Sequence, residues 1–476
     1  MRHSTAGQRQ KYGICTHRQF LFAISESKSS NKEDIHKEKC RIYSFIRPKV
    51  SVFKKDFKSF CTHLIDFFVF LHRNYTNEMK ADVSIKHIQL LTTALLSVAV
   101  FCFWGYVRPY LITERELTQM FLWNCDYFME RIVVPGGLAR YIGEWLVQFF
   151  VYIKYGAVIY ALLFALVQLL CWRLTRNYLL SLVLPVLMWW LSLHTDIPMT
   201  PHVALVLTLA AMTILPDKEM PALLVSALLV PIVYWLAGPV ALLIPLYHLR
   251  WFWSHPNTSI GEACAAGYLL LLSLTGSTRL VPYPLGELAR GIDYRWEEDI
   301  IGTYQDMTYS TLLRRRQWEG LVRLSISHPP QSLASQNAAR LALWHTKRVG
   351  DEALRECLQH SRRVMASAVT TSIMSNVYLE LGMLNMSQRA AFDLMESIPN
   401  GNKSGRAMKR LAETALYTGQ PELALKYIRL LEQTLFYRKW ASSMRRFAEH
   451  PELMESEPLF KQYKEIYEKA DDVFFY

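Results

Sequence analysis

His194, Asp196 and His202 lie within one short stretch that also carries Pro198 and Pro201. Two imidazoles and a carboxylate are borderline ligands for a divalent metal, so the three are candidate metal ligands. The gap across the two prolines does not by itself bring them to one centre, and loop residues at a membrane interface are the other reading. A second constellation is acidic: Glu114, Glu116, Asp126, Glu130 and Glu144. Within it Glu114 and Asp126, joined by Asp196, are the candidate catalytic carboxylates, because a carboxylate can act as general base. Thr113 followed by Glu116 also fits a capping box at a helix start, and the other acids suit a solvated helix face. Glu262 is the most conspicuous acid within an apolar run, and intramembrane ionisable groups are functional candidates by default. Ser259, three residues earlier, makes a second capping box that explains it locally. The sequence holds no Walker A loop, HExxH, dinucleotide fingerprint or GxSxG, and no cofactor follows from it.

The elements that position these residues are apolar. The mean hydropathy of +0.08 hides a strong partition along the chain. Residues 79–276 contain only 11 Lys/Arg and 10 Asp/Glu, whereas residues 277–476 contain 27 and 24, as a soluble domain does. Of the net charge of +12, most lies in residues 1–78, with 15 Lys/Arg against 7 acids. That excess has no periodicity and no nucleic-acid-binding module, so it reads as a solvated or membrane-proximal basic tail, with no nucleic-acid partner. The eight cysteines show no CxxC pair and no zinc spacing.

Apolar runs cover Ile88–Val107, Ile153–Trp172, Tyr178–Leu193, Val203–Leu215, Ala222–Leu236, Val240–Trp253 and Ser259–Thr275. They predict a bundle of about seven spans over residues 79–280, although several runs fall short of the roughly 20 residues of a typical span. Met79-Lys80 and Lys86 ahead of the first run resemble an uncleaved signal anchor. Residues 1–78 therefore read as a basic extension, either disordered or upstream of the natural start. Lys80, Lys86, Arg173, Arg176, Lys218 and Arg250 fall on one side of a seven-span bundle, which the positive-inside rule makes cytoplasmic. The C-terminal domain is then across the membrane. An amphipathic external segment, 113–150, is interrupted at Pro135-Gly136-Gly137 and reads as two helices lying on the outer membrane surface.

From about residue 283 the chain becomes a soluble helical-repeat domain, 283–476, expected to fold by itself. Leu411-Ala412 through Tyr417, Gly419, Pro421, Ala424 and Ile428 resembles a tetratricopeptide repeat, in which small side chains let antiparallel helices approach closely. Gly382, Gly350 and the Arg316-Gln317-Trp318 junction mark further turns on a similar period. Stacked repeats offer extended binding surfaces. Arg314, Arg315, Arg316, Trp318, Arg362, Arg363, Tyr427 and Trp440 are the provisional contacts on this one.

Together the fold class is all-α, a polytopic transmembrane bundle followed by a tetratricopeptide-like domain. Phe121-Leu122-Trp123, Asp126-Tyr127-Phe128, Pro135-Gly136-Gly137-Leu138-Ala139-Arg140-Tyr141-Ile142-Gly143, Gln148-Phe149-Phe150 and Ala339-Arg340-Leu341-Ala342-Leu343 through Val349-Gly350-Asp351 resemble a family of multi-spanning bacterial envelope proteins known as a domain of unknown function. The resemblance covers about Met79 to the C-terminus. It implies this architecture and an inner-membrane location, so that the side across the membrane reached by counting spans is the periplasm, and it brings no activity. The leading expectation is a non-enzymatic protein, bound to the lipid bilayer, that engages an envelope protein partner. The alternatives are a polytopic enzyme whose layout resembles glycosyltransferases using lipid-linked substrates at the external face, and a transporter.

Overall fold

In the computed structural model the described residues are 81–469, apart from 217–218, 252–255, 297–300, 353, 355–357 and 359–363. The expectations for residues 1–78 and for Arg362 and Arg363 lie outside them. The regular elements of the described residues are all helices, with no strand among them. Among the described residues, 89–342 and 364–469 belong to one compact unit, and 81–88 with those of 343–358 belong to another. In the smaller unit Trp344 Nε1 donates to Asp351 Oδ1 at 2.6 Å.

All seven apolar runs are helical. They are α1 (Ala81–Cys102, continued by a π-turn over Phe103–Val107), α5 (Ile153–Thr175), α6 (Tyr178–Ser192), α7 (Thr200–Met212), α8 (Glu219–Ala237), α9 (Leu243–His248, between two 3-10 turns) and α10 (Pro256–Ser277). Between α1 and α5 lie α2 (Pro109–Thr118), α3 (Cys125–Ile132) and α4 (Gly137–Val147). Three helices, His87–Val107, Ile153–Thr175 and Asn257–Ser277, are long and apolar enough to cross a membrane. At 1.5 Å per residue the 21 residues of the first cover about 31 Å, the thickness of a hydrocarbon core. The other four are shorter apolar helices.

These helices keep large side chains on the outside: Leu90, Leu162, Val186, Leu228 and Leu272 are all exposed. In water such a surface would be an aggregation liability, whereas hydrocarbon is its natural solvent. Hydrogen bonds sort the helix ends. Tyr247 Oη donates to the Leu174 carbonyl at 3.4 Å and Arg250 Nη2 to that of Pro216 at 3.1 Å, which gathers the ends of α5, α7 and α9 on one side. At the opposite side, Gly136 N donates to the Trp235 carbonyl at 2.9 Å and Trp296 N to that of Asp196 at 2.8 Å. There the α2–α4 segment, the α6–α7 loop, the end of α8 and the chain leaving α10 all meet.

Beyond α10 follow α11 (Leu285–Arg290), α12 (Tyr304–Arg314), α13 (Trp318–Ser327), α14 (Leu333–His345), α15 (Ala368–Glu380), α16 (Leu384–Ser397), α17 (Gly405–Tyr417), α18 (Pro421–Leu431), α19 (Arg438–Glu449) and α20 (Pro458–Lys469). From α15 to α19 each helix packs on the next. Gly382 and Gly419 make the α15–α16 and α17–α18 turns with φ of 75° and 72°, a region that costs glycine little. Small residues bring the helices of a hairpin together: Ser375 and Ser387 each donate to the other's backbone carbonyl, at 3.1 and 2.8 Å.

The segment before α5 departs from expectation. Helix α2 starts at Pro109, whose fixed φ suits a first turn, so Thr113 is not an N-cap and the capping box with Glu116 does not form. Every residue from Leu111 to Thr118 is buried, so α2 is not an amphipathic helix resting on a surface. The chain then runs extended from Gln119 and re-enters a helix at Asn124, whose Oδ1 caps α3 by accepting from Tyr127 N at 2.6 Å. Met120, Phe121, Leu122 and Tyr127 pack in one core with Met408, Ala412, Leu416, Ile428 and Phe447. Trp123 N donates to the Gln433 carbonyl at 2.9 Å. The composition boundary near residue 280 is therefore not a packing boundary, since the helical domain borrows part of its core from the far side of the bundle sequence.

Truncating Phe121, 1% exposed, to alanine in the full chain is expected to cost about 3–5 kcal/mol, read as a lower Tm in detergent. Residues 283–476 alone, which lack that plug, are expected to melt without the cooperative transition of the full chain.

Candidate functional site

Helix α2 carries Glu114, Arg115 and Glu116 in succession, all buried. Successive helical residues point about 100° apart, so Arg115 faces a different neighbour from the two acids that flank it. Arg115 turns to the bundle, where its guanidinium donates to the carbonyls of Ser192 (2.8 Å), His194 (3.1 Å) and Ile197. Glu114 and Glu116 turn to α17. Arg406 donates through Nη1 to both Glu114 oxygens (3.1 and 3.0 Å), through Nε to Glu116 Oε2 (2.7 Å), and through Nη2 to the Thr113 carbonyl. Thr311 from α12 donates to Glu114 Oε1 at 3.2 Å, and the Tyr437 hydroxyl donates to Glu116 Oε1.

Burial works against the charge on Arg406, yet its two carboxylates outweigh this and raise its pKa. Tyr437 is held well above the usual phenol value by burial and then by the Glu116 charge, so it stays a donor. Arg314 is pushed down, first by repulsion from Arg406 and then by burial. One arginine thus binds two acids and a backbone carbonyl on the neighbouring helix, while a second arginine stands close by.

A second buried network extends this seam. Glu144 on α4 accepts from Arg131 Nε at 3.0 Å, Arg140 Nε at 2.9 Å and the Tyr127 hydroxyl. Arg140 Nη2 continues to the Asn400 carbonyl (2.7 Å) and Asn402 Oδ1 (3.1 Å). Asp293 accepts from Thr200 Oγ1 (3.1 Å) and Trp296 Nε1 (2.9 Å), tying the chain after α10 to the start of α7. Burial, followed by the Glu144 charge, keeps the Tyr127 phenol well above its ordinary value.

The candidates from the sequence are dispersed. Glu114 is enclosed by Arg406 and Thr311. Asp126 is exposed in the first turn of α3. Asp196 pairs with Arg295 Nε at 2.6 Å. His194 uses its carbonyl for Arg115 and sets its ring edge-on to Trp190, centroids 4.9 Å apart. His202 Nε2 lies 2.6 Å from Ser192 Oγ. Among the described residues no three metal-ligating side chains gather into a site. Of the provisional binding contacts, Arg315 is exposed, Arg316 bonds Glu380 at 2.6 Å, and Trp440 sits under Lys409 Nζ at 4.9 Å.

A family model matches residues 84–476, which takes in both the bundle and the helical domain. The chain belongs to this family of unknown function, DUF6057. No curated protein and no solved structure matches it. The match runs unbroken through α2 and Arg406 alike, so the seam lies wholly inside the family's extent.

The bundle holds one array that sequence reasoning missed. Glu262, expected to cap α10, lies in its second turn, because the helix begins at Pro256. Its Oε2 lies 3.0 Å from His248 Nδ1, and His248 Nε2 lies 2.9 Å from Ser226 Oγ. All three side chains are buried. The signal that could have found it was a His and a Glu in neighbouring apolar runs, where isolated charges are costly.

Replacing Arg406 by methionine strands two buried carboxylates, with an expected cost of about 3–5 kcal/mol. Adding Glu114→Gln and Glu116→Gln should recover part of that loss, measured as Tm in detergent. The phenols give a pH signature. Because the folded pKa of Tyr437 and Tyr127 exceeds the ordinary 10.0, their contribution is complete below pH 10 and is lost as pH rises through the folded values. Tm is expected to fall above pH 10, with a shallower slope in Tyr437→Phe.

Proposed function

We propose that the protein is a multi-pass membrane anchor holding a tetratricopeptide-like domain against one face of the bilayer, where that domain binds another protein of the cell envelope. The observation that carries this reading is the contrast in surface chemistry. Helices α1 and α5–α10 turn large aliphatic residues outward along their length, whereas exposed large apolar residues are sparse across α12–α20. The first surface suits lipid and the second suits water. Alternation of the helix ends between two sides supports seven passes, with the four short helices packed among the long ones. Arg173, Arg176 and Arg250 stand at the side away from the helical domain, which under the positive-inside rule favours a periplasmic domain and a cytoplasmic start of α1.

Serial hairpins with small buried residues, Ala390, Ala407, Ala412, Ala415 and Ala424, support the likeness to tetratricopeptide repeats, whose role is to present a surface rather than to do chemistry. The seam around Arg406 and Glu144 suits the same role, since a platform that binds a partner loses less entropy when it is already held in place. Glu114 and Asp196 have separate arginine partners and Asp126 is exposed, so no observation favours a transfer site over this reading.

Two measurements test it. Arg315→Cys, on the exposed end of α12, is expected to react with a membrane-impermeant maleimide added to intact spheroplasts. Labelling only after permeabilisation would reverse the orientation. A photocrosslinking amino acid at 315 is expected to yield a discrete higher-mass adduct with one envelope protein in living cells. A ladder of unrelated adducts, or none, would defeat the binding role.

A further inference from the structure

The bundle is built as more than an anchor. We propose that Ser226, His248 and Glu262 form a serine acyl-hydrolase centre within the membrane part of the protein, acting on esters of apolar acyl chains supplied from the lipid phase. This goes beyond the binding role and does not depend on it.

The case begins with proton positions. When Glu262 is a carboxylate it can only accept, and the 3.0 Å contact of its Oε2 with His248 Nδ1 is the bond a proton on Nδ1 would make. His248 Nε2 then presents its lone pair to Ser226 Oγ at 2.9 Å, and the Ser226 hydroxyl must donate. That is the tautomer and direction a histidine needs in order to act as general base on a serine, and such arrays are recognised by geometry and role rather than by order in the chain.

The same bundle provides an internal comparison. Ser192 also lies beside a histidine, 2.6 Å from His202 Nε2, but it donates its hydroxyl proton to the Met188 carbonyl at 2.7 Å, as serines in helices commonly do. No carboxylate bonds His202. Among the described residues Ser226 makes no such bond to its own helix, and the imidazole 2.9 Å away is the partner its hydroxyl has. A serine that only needed a partner would have taken the helix carbonyl.

The surroundings add two further observations. His248 ends a short helix flanked by 3-10 turns, Pro239–Leu242 and Leu249–Trp251, rather than a regular span. Irregular backbone at membrane depth is kept where it is enclosed by protein or lines a cavity. Ser259 Oγ and Glu262 Oε1, one turn apart on α10, are buried without hydrogen-bond partners, so the site has an unused donor and an unused acceptor. Ser226 is seven residues into α8, about 10 Å along the helix axis from its start. It faces inward, while Leu224 and Leu228 on either side of it face out.

The reaction balances with water as the only co-reactant. Ser226 Oγ attacks the ester carbonyl carbon and its proton passes to His248 Nε2. The C–O bond to the alcohol breaks, and that proton goes to the departing oxygen. Water then attacks the acyl-serine carbonyl and gives a proton to Nε2. The Ser226–acyl bond breaks, the fatty acid leaves, and the proton returns to Oγ. Glu262 is a positioning residue that holds the imidazole and stabilises its charged form.

The test uses full-length protein in its native membrane and a long-chain alkyl fluorophosphonate, which phosphonylates activated serines. The expected result is a single adduct mapped by mass spectrometry to Ser226, abolished in Ser226→Ala. The labelling rate should fall about a hundredfold or more in His248→Gln. Glu262→Gln should slow labelling and alter its pH profile, which a packing role alone would not do. Turnover of a p-nitrophenyl octanoate ester should follow the same ranking. All variants are compared only where the thermal transition is retained, with Ser192→Ala as a control expected to label normally. Absence of an adduct at Ser226 in folded wild-type protein, or a rate indifferent to His248→Gln, would overturn the proposal.

Discussion

Arg406 has to be satisfied, and much of the structure follows from how that is done. A guanidinium removed from water costs several kcal/mol unless its donors are met, and a buried carboxylate costs as much. Arg406 on α17 meets Glu114, Glu116 and the Thr113 carbonyl, all on α2, a helix enclosed on every side. Hydrophobic contacts alone would tolerate a sliding α2, because one aliphatic contact replaces another. Four directional bonds to one planar group would not. The helical domain is thereby set in register on the bundle, and the Glu144–Arg140–Asn402 network repeats the device at a second point.

This arrangement makes the division between the apolar bundle and the helices after it chemical rather than mechanical. Residues 113–150 have the composition of an external loop, yet Phe121 and Leu122 serve as core residues of the helical domain while Arg115 is bonded to bundle carbonyls. A continuous set of contacts runs from the hairpins to α2 through Arg406 and to Phe121 beyond it. The same route leads from α2, through the Ser192 and His194 carbonyls, to helices α6 and α7 of the bundle.

Local composition carried well into the fold. The seven apolar runs all became helices, and the turns at Gly382 and Gly419 fell where small residues and glycine punctuated the pattern. Capping boxes misled, because Thr113–Glu116 and Ser259–Glu262 fit a local motif equally well whether or not a helix starts there. In each case the glutamate found a partner remote in sequence, Arg406 or His248. The metal candidates failed to converge for a related reason. His194, Asp196 and His202 are close in sequence, but each was claimed separately, by Arg115 through a carbonyl, by Arg295 and by Ser192.

What the sequence determined by itself was the helical character and the apolar bundle. Hydrophobic periodicity and length are properties of contiguous residues, and the cost of leaving backbone groups unsatisfied in an apolar environment turns such runs into helices. The pairing of charges was decided only by tertiary structure. An arginine or a glutamate has the same local propensity whatever it will meet, and its partner lies some 290 residues away in the case of Arg406 and Glu116, separated by helices whose packing must be known first. The Ser226–His248–Glu262 array is the same lesson on a smaller scale. Three ordinary residues on three helices come within hydrogen-bond distance of one another only when the helices close around them.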